Sequence, residues 1–309
     1  MTANPILSLL PRPIDGHKGT FGTVLAIGGS RGMSGSISMT GSAALRSGCG
    51  LVRLAVPEVC LETVAVLDRC YTTIPLPCDS SGKIAYSALP IIVEEAKKAT
   101  AIAIGPGLSR SVDLTRLVAE LYQQIDKPMI VDADALNALS ESGILLENAR
   151  PAPGPRILTP HPGEFRRLFS RQNGDLSQQR DGIVKPTREE QTNQADLLAR
   201  QTDVVVALKG HRTHVTNGET VYVNETGNSG MATGGSGDVL TGIAASLAAQ
   251  NYPVYKAACV AVWIHGLAGD CAAERLGAWS VTAEAILDSL PEAFCKASYS
   301  NGRQYTAFT

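Results

Sequence analysis

Apolar residues in this chain occur in short, nearly continuous runs that are rich in β-branched side chains and bounded by glycine or proline. Such runs are typical of strands buried on both faces of a sheet, because a strand with one wet face alternates apolar and polar residues. The pattern predicts six strands, at residues 23–27, 51–56, 101–104, 129–131, 156–158 and 204–208.

Longer segments of helical length separate these runs, at residues 35–46, 88–98, 113–124 and 189–200. Strands that alternate with helices indicate a mainly parallel sheet covered by helices on both faces, since parallel strands need crossover connections. The predicted fold class is therefore α/β. We expect one domain over residues 1–309, with a frayed tail at 298–309.

The pattern changes after Lys209. Residues 213–216 and 220–223 flank Asn217-Gly218, a dipeptide that favours a tight hairpin turn. The sheet should therefore end in antiparallel strands. Helices are expected to follow at 238–249, 254–274 and 283–290, while the polar stretch 171–185 should be a surface loop before a helix opened by Pro186.

Composition narrows the classes of function. The net charge is -2, so no global positive field attracts nucleic acid or an anionic membrane, and any phosphate site must be local. There is no signal-peptide pattern and no apolar stretch of membrane-spanning length, so we expect a cytoplasmic protein. The seven cysteines include no CxxC pair, which favours free thiols in a reducing compartment.

The sharpest chemical signal is the segment NSGMATGGSGD at 228–238, which leads directly into an apolar helix. Gly234, Gly235 and Gly237 allow close backbone approach, and with Ser236 they would turn N–H groups toward an anion at the helix start. Asp238 would then lie near a bound phosphate and accept a proton from a substrate hydroxyl. The alternative is a plain turn in which Asp238 only caps the helix.

A second signal follows the strand that ends at Leu208. Ligands of open α/β sheets bind beyond the carboxyl ends of the strands, which places Lys209 and the amides after it for nucleotide contacts. The alternative is a strand that simply ends in a charged turn. The residues of this candidate nucleotide site are Lys209, Gly210, His211, Arg212 and Thr213.

A third signal is TPHPGE at 159–164, again just past a strand. Its two prolines stiffen the turn and fix the direction of His161, a candidate substrate contact. Glu164 begins a helix and is a candidate to organise a metal ion through water. In the alternative, Glu164 only favours the helix dipole and His161 only bonds a backbone carbonyl.

Two further strand ends point to the same edge of the sheet. Gly105 and Gly107 permit close backbone approach, and Asp132 and Asp134 could carry a magnesium ion or its waters. Asp134 is equally suited to cap the next helical turn.

Other motifs favour structural roles or exclude a class. His17 and Lys18 in HKGTFG lie outside a strand end, and the late Trp263, His265 and Cys271 fit core or subunit packing. The glycines after the first strand resemble a dinucleotide-binding turn only loosely. No acidic residue ends the next strand, so a Rossmann dehydrogenase is disfavoured.

Taken together, the motifs resemble the ADP-dependent NAD(P)H-hydrate dehydratase family. They are HKGTFG, GSRGMSGSISMTGSAALRSGCGLV, AIGPGL, VDADALN, LTPHPGEF, LKGHRT and NSGMATGGSGDVLTG, in family order from residue 17 to about 290. The resemblance implies a ribokinase-like fold. It also implies dehydration of the S epimer of hydrated NADH or NADPH (NADHX, NADPHX), with ADP or ATP as co-substrate and Mg²⁺, giving AMP and phosphate in the case of ADP.

The resemblance also assigns roles to individual residues. It places the Lys209 turn and Gly237 at AMP, and it makes Asp238 the base. Ser36, Gly107, His161 and Asp238 would contact the hydrated nicotinamide, although Ser36 stands where many relatives have alanine. Relatives are commonly homotetramers and often carry an N-terminal epimerase domain, so we expect either a stand-alone dehydratase or one half of a longer protein.

Two alternatives remain open at this stage. One is a small-molecule kinase of the same fold, of the hydroxymethylpyrimidine or hydroxyethylthiazole type, which also carries a GxGD element. His161 in TPHPGE, where such kinases tend to have asparagine, and the HKGTFG opening favour the dehydratase. The other is a nucleotide-sensing protein that has lost its chemistry, against which Asp238 and Glu164 argue. The sequence leaves open the choice of ADP or ATP and of NADHX or NADPHX.

Overall fold

The computed structural model describes residues 7–145, 151–172 and 186–300. A single sheet runs through this part of the chain. Its strands are β1 (Thr23–Ile27), β2 (Leu51–Pro57), β3 (Thr72–Leu76), β4 (Ala101–Ile104), β5 (Met129–Val131), β6 (Arg156–Leu158), β7 (Val205–Leu208), β8 (His214–Thr216) and β9 (Val221–Val223).

The strand order is β3-β2-β1-β4-β5-β6-β7-β8-β9. Strands β1 to β7 pair in parallel, with Ile27 of the central β1 opposite both Ala55 and Ile104. Strands β8 and β9 add antiparallel partners at one edge. The predicted mainly parallel sheet with a late hairpin is therefore confirmed.

Helices cover both faces of the sheet. One apolar core lies under α1, α2 and α8 to α11, and a second core lies under α3 to α7. The helices are α1 (Ser34–Arg46), α2 (Leu61–Ala65), α3 (Leu89–Ala96), α4 (Val112–Gln124), α5 (Ala133–Ser142), α6 (Pro162–Gln172), α7 (Arg188–Thr202), α8 (Ser236–Ala249), α9 (Val254–Leu276), α10 (Ala283–Asp288) and α11 (Leu290–Ser300). No helix within the described ranges is long and apolar enough to cross a membrane.

Several predicted boundaries need correction. The helix expected at 283–290 is two helices divided at Ser289, and α11 continues to Ser300, past the expected onset of fraying. Helix α7 begins after Thr187, which forms a capping box with Glu190, so Pro186 lies outside it. Residues 171 and 172 belong to α6, while 173–185 and 301–309 lie outside the described residues.

Helices α1 and α8 cross at unusually close range because small residues line both of them. A β-carbon on Gly242 would lie 2.2 Å from the carbonyl oxygen of Thr40 and 2.7 Å from the β-carbon of Ala43. The hydroxyl of Thr40 donates to the backbone carbonyl of Asp238, at 3.1 Å. The start of α8 is therefore held directly against α1.

Arg156, at the start of β6, is fully buried. Its guanidinium donates to the carbonyl oxygens of Tyr122 and Ile125, each at 2.6 Å, and of Lys127 at 2.9 Å. Burial lowers the pKa of Arg156 to about 10, which still leaves it charged at neutral pH. The side chain thus satisfies carbonyls where α4 ends, a role that the apolar run did not predict.

The HKGTFG segment lies at the amino edge of the sheet. The amide of Gly50 donates to the carbonyl of Phe21, and a β-carbon on Gly50 would lie 1.8 Å from the carbonyl oxygen of Lys18. The guanidinium of Arg12 stacks over the Phe21 ring, and it also donates to the carbonyl of Gly48 at 2.9 Å. The backbone of Lys18 thus packs against Gly50, and structural roles for the His17 and Lys18 side chains stay a prediction.

Candidate active site

The opposite, carboxyl edge of the sheet gathers most of the chemically active side chains. The loops that follow β1, β4, β5, β6 and β7 start at this edge, and helix α8 also begins there. The resulting cleft follows the general rule for open α/β sheets, in which ligands bind beyond the carboxyl ends of the strands.

Asp132, directly after β5, is 1% exposed. One carboxylate oxygen accepts a hydrogen bond from Lys209 Nζ and the other from Thr241 Oγ1, each at 2.7 Å. Asp134 accepts from the amide of Ser109 at 2.8 Å. Both oxygens of Asp132 are therefore engaged within the protein, which disfavours direct binding of magnesium by this aspartate. Helix α5 begins at Ala133, so Asp134 lies in its first turn and is not its N-cap.

Lys209 extends from the end of β7 into the cleft. A β-carbon on Gly237 would lie only 3.2 Å from its Nζ, so the ammonium group rests against the start of α8. Burial lowers the pKa of Lys209, but the charges of Asp132 and Glu164 outweigh that effect, and the net pKa is raised. Lys209 therefore carries a fixed positive charge at the cleft.

Arg188, from α7, supports the rest of the 209–213 turn. Its guanidinium donates to the carbonyl oxygens of Leu208 at 3.0 Å and Lys209 at 3.2 Å. His211 and Arg212 are exposed, and Arg212 pairs with Glu225 at 3.2 Å. The hydroxyl of Thr213 donates to the carbonyl of Gly210. Among the five predicted nucleotide residues, Lys209 is thus the one whose side chain reaches α8.

The start of α8 has the form of an anion site. Gly235 stands at the N-cap position with a φ of 89°, and no side chain caps the first N–H groups. A β-carbon on Gly234 would meet no atom within 4 Å, so space is open in front of the helix. The amide of Ser236 donates to the carbonyl of Thr233 at 3.4 Å, so the next amides of the first turn and the positive end of the helix dipole are what favour a phosphate at this position.

Neighbouring elements hold this glycine-rich segment in place. The hydroxyl of Ser236 lies 3.2 Å from Nε2 of His265, and burial lowers the pKa of His265 to about 4. Asp270 accepts from the amide of Gly227 and from the side chain of Asn228, each at 2.9 Å. His265, expected only in the core, thus contacts the predicted phosphate site, and Asp270 is a support that the sequence did not indicate.

Asp238 lies in the first turn of α8 and is 9% exposed. Burial raises its pKa to about 6, the charge of Asp132 adds to the effect, and a hydrogen bond with Ser36 opposes it. A β-carbon on Gly107 would lie 3.1 Å from the Cβ of Ser36. The structure therefore brings Ser36, Gly107 and Asp238 together, and Asp238 has the proton affinity of a base that works near neutral pH.

His161 and Glu164 form a compact pair at the start of α6. The amides of Gly163 and Glu164 donate to His161 Nδ1 at 3.0 and 3.3 Å, while Nε2 lies 3.2 Å from Glu164 Oε1. Because Nδ1 accepts, the neutral ring carries its proton on Nε2, facing Glu164.

The second oxygen of Glu164 accepts from the His161 amide at 2.8 Å. Burial raises the pKa of Glu164 to about 7, and it lowers the pKa of His161, an effect that the charge of Lys209 reinforces. With both oxygens of Glu164 engaged, contact with a metal ion through water fits better than direct ligation. Within the described ranges, the metal-type cluster of Cys271, Glu274 and Glu292 includes none of the cleft residues.

The sheet order, together with the likeness to a ribokinase-like superfamily protein of Enterococcus faecalis at a TM-score of 0.77 and 26% identity over 94% of each chain, defines an α/β protein of ribokinase-like fold. A family model described as NAD(P)H-hydrate dehydratase matches residues 24–292. The chain therefore belongs to the NAD(P)H-hydrate dehydratase family, as its motifs predicted.

Individual relatives agree with this assignment. The chain is 42% identical over 294 residues to the bifunctional NAD(P)H-hydrate repair enzyme of Moorella thermoacetica, covering 94% of this chain and 53% of that protein. It is 38% identical to the ADP-dependent (S)-NAD(P)H-hydrate dehydratase of Neisseria meningitidis, covering 86% of this chain and 82% of the relative. The chain thus spans about half the length of the bifunctional relative.

A solved structure extends the likeness to the whole fold. The ADP/ATP-dependent NAD(P)H-hydrate dehydratase from Bacillus subtilis, co-crystallized with ATP and Mg²⁺, superimposes with a TM-score of 0.74 at 28% identity. The superposition covers 94% of this chain and 95% of that one.

Proposed function

We propose that this protein catalyses the ADP-dependent dehydration of the S epimer of hydrated NADH or NADPH, returning the reduced cofactor with AMP and phosphate. One observation carries the proposal: the buried carboxylate of Asp238 lies at the uncapped start of α8, with the Lys209 ammonium against the same turn. A phosphate bound at the start of α8 and the carboxylate of Asp238 could therefore both contact the same substrate hydroxyl.

The first step is transfer of a phosphoryl group to the hydroxyl on ring carbon 6. Asp238 takes the hydroxyl proton as the oxygen attacks the terminal phosphorus of ADP, and the bond from that phosphorus to AMP breaks. The amides of α8 and the charge of Lys209 stabilise the negative charge that moves across the phosphate oxygens.

The second step is elimination. The lone pair on the ring nitrogen expels the phosphate from carbon 6, and the neighbouring ring carbon then gives up a proton to the departing phosphate or to water, which restores the double bond of the dihydronicotinamide. The hydroxyl oxygen leaves with the phosphate, so the net change is dehydration coupled to cleavage of ADP. We assign the contacts with the hydrated ring to Ser36 and Gly107, which lie beside Asp238, and to His161.

Magnesium fits this cleft as a companion of the nucleotide. Mg²⁺ commonly retains several waters and binds substrate phosphates with few protein ligands. The carboxylate oxygens of Asp132 and Glu164 already accept hydrogen bonds within the protein, which favours contact with the ion through water. We assign Glu164 to hold such a metal-bound water. When bound, the ion would neutralise charge on the phosphate oxygens.

The direct test is incubation with S-NADPHX and either ADP or ATP. We expect absorbance to return at the reduced-nicotinamide band, with one AMP formed for each cofactor restored when ADP is the donor. A small-molecule kinase would release a stable phosphorylated product instead. Nucleotide binding without turnover of the hydrate, together with phosphorylation of hydroxymethylpyrimidine or hydroxyethylthiazole in a parallel reaction, would overturn the proposal in favour of the kinase.

The pH dependence provides a second test. Asp238 must be ionised to accept the proton, and its pKa is raised to about 6. We expect kcat/KM to fall as the pH drops through about 6, by about tenfold per unit well below that value, after a shallower decline near pH 7 where Glu164 takes up a proton. A rate profile measured from pH 4.5 to 8 checks this. An acid limb centred near pH 4, the range of an ordinary aspartate, would contradict the assigned role.

The requirement for the S epimer implies a second activity. Hydrated cofactor exists as two epimers, so complete repair needs an epimerase, supplied by a fused domain or by a separate partner. The bifunctional repair enzymes among the relatives are consistent with a fused arrangement in those proteins. Assembly of this chain into a homotetramer and its cytoplasmic location remain predictions.

A further inference from the structure

We propose that Asp132 is a positioning residue whose task is to fix the Lys209 ammonium against the first turn of α8, where the nucleotide phosphate would bind. The inference rests on the proposed function of the cleft. It assigns to the VDADALN motif a role different from metal binding, and the role is defined by contacts within the protein.

The contacts of Asp132 hold both of its carboxylate oxygens. Its side chain is 1% exposed, and each carboxylate oxygen takes one hydrogen bond, from Lys209 Nζ and from Thr241 Oγ1. The backbone is equally constrained, because the amide of Asp132 donates to the carbonyl of Ile104. The carboxylate therefore has one orientation, and it joins β5 to β7 and α8.

Charge explains why such a residue is needed. Lys209 faces three carboxylates, from Asp132, Glu164 and Asp238, and the charge of Asp134 also acts on Asp238. Without Asp132, the flexible ammonium would be free to pair with Asp238. That pairing would hold the proposed base as an ion pair and remove the positive charge from the phosphate. Asp132 prevents this outcome by holding Lys209 at a different point of the cleft.

Space at the helix start permits this arrangement. A β-carbon on Gly237 would lie 3.2 Å from Lys209 Nζ and 3.6 Å from a carboxylate oxygen of Asp132. Glycine thus allows the ion pair to lie directly against the backbone amides of α8. Thr241, one turn further along α8, holds the second oxygen of Asp132 and completes the orientation.

A double-mutant cycle tests the proposal. The proteins are wild type, Asp132→Asn, Lys209→Gln and the double variant, compared by kcat/KM with S-NADPHX and ADP. If Asp132 acts through Lys209, Asp132→Asn should lower kcat/KM about 100-fold in wild type and less than about threefold in the Lys209→Gln background. Equal losses in both backgrounds, or no loss in wild type, would overturn it.

Two further variants keep the test decisive if Asp132→Asn folds poorly, as judged by its thermal midpoint. Thr241→Val removes one hold on Asp132 without changing any charge. This substitution should lower kcat/KM about three- to tenfold in wild type and should not lower it further in the Lys209→Gln background. Asp134→Asn is the matched control, because it removes a carboxylate from the same motif that bonds Ser109 instead of Lys209. Its effect should be the same in both backgrounds.

Titration of the same proteins with ADP separates this inference from the proposed reaction. We expect Asp132→Asn to weaken ADP binding in wild type but not in the Lys209→Gln background. If wild type fails to dehydrate the hydrate yet this binding pattern appears, the proposed reaction falls and the positioning role stands. If wild type dehydrates S-NADPHX, but Asp132→Asn lowers kcat/KM and ADP affinity equally with and without Lys209, the positioning role is wrong and the proposed reaction stands.

Discussion

Replacement of Asp238 by asparagine should reduce turnover of S-NADPHX by about 10²- to 10⁴-fold, the contribution of a positioned general base. Affinity for ADP should stay within about threefold, because the amides at the start of α8 and Lys209 remain in place. Steady-state rates and ADP titration check both statements. Wild-type turnover in the variant would remove Asp238 from the mechanism.

Asp113 offers a matched control for this substitution. It occupies the first turn of α4, as Asp238 does in α8, and accepts a hydrogen bond from the amide of Tyr86. Asp113→Asn removes an equivalent helix-dipole interaction outside the cleft. We expect it to leave turnover unchanged, which would separate loss of the base from loss of a favourable first-turn charge.

The same Asp238 variant should also be more stable than wild type at neutral pH. The folded-state pKa of about 6 lies above the ordinary value of 3.8, so the folded protein binds this proton more tightly than the unfolded chain. Stability from this group is complete below pH 4 and is lost as the pH rises through 6. The thermal midpoint of Asp238→Asn should exceed that of wild type at pH 8, and the difference should shrink at pH 4.

The second large effect is expected at the crossing of α1 and α8. Gly242→Ala places a methyl group 2.2 Å from the carbonyl oxygen of Thr40, and because that oxygen belongs to the backbone of α1, the helices must separate. Overpacking of this kind typically costs about 1 to 3 kcal/mol. We expect the thermal midpoint to fall by several degrees. Turnover should fall too, because Asp238 lies one turn before Gly242 and its carbonyl accepts from Thr40.

Gly35→Ala is the control for this prediction. Gly35 is also a helical glycine, in the first turn of α1, but a β-carbon there would meet no atom within 4 Å. Alanine favours a helix over glycine by about 1 kcal/mol, so the midpoint should stay equal or rise. An unchanged midpoint in Gly242→Ala would show that α1 and α8 separate at little cost.

Much of the fold could be predicted from apolar runs because the central strands are buried on both faces. Four of the six predicted strands match their observed bounds, and β2 and β7 differ by one residue. Strand β3 was missed, since it lies at the sheet edge and its exposed positions and Pro75 interrupt the apolar run. Ser289 divides α10 from α11 within one continuous helical pattern, so the division was not predictable from periodicity.

The site was partly predictable for a related reason. Strand ends and a glycine-rich helix start are local signals, and they identified Lys209, His161 and Asp238. The supports of these residues are long-range pairs: Asp132 with Lys209 spans 77 residues, Asn228 with Asp270 spans 42, and Arg188 with Leu208 spans 20. No local pattern marks such pairs, so the roles of Asp132, Arg188 and Asp270 needed the structure.

Ser8 and Leu10 pack at the amino edge of the sheet, and this position matters for bifunctional relatives that carry a second catalytic domain. The ammonium group of Lys256 donates to the hydroxyl of Ser8, and the amide of Leu10 donates to the hydroxyl of Tyr252. Tyr252 lies just beyond the carboxyl end of α8, and the amino end of the same helix borders the cleft. A catalytic module joined ahead of Leu7 would therefore be tethered on the far side of the sheet from the dehydration chemistry.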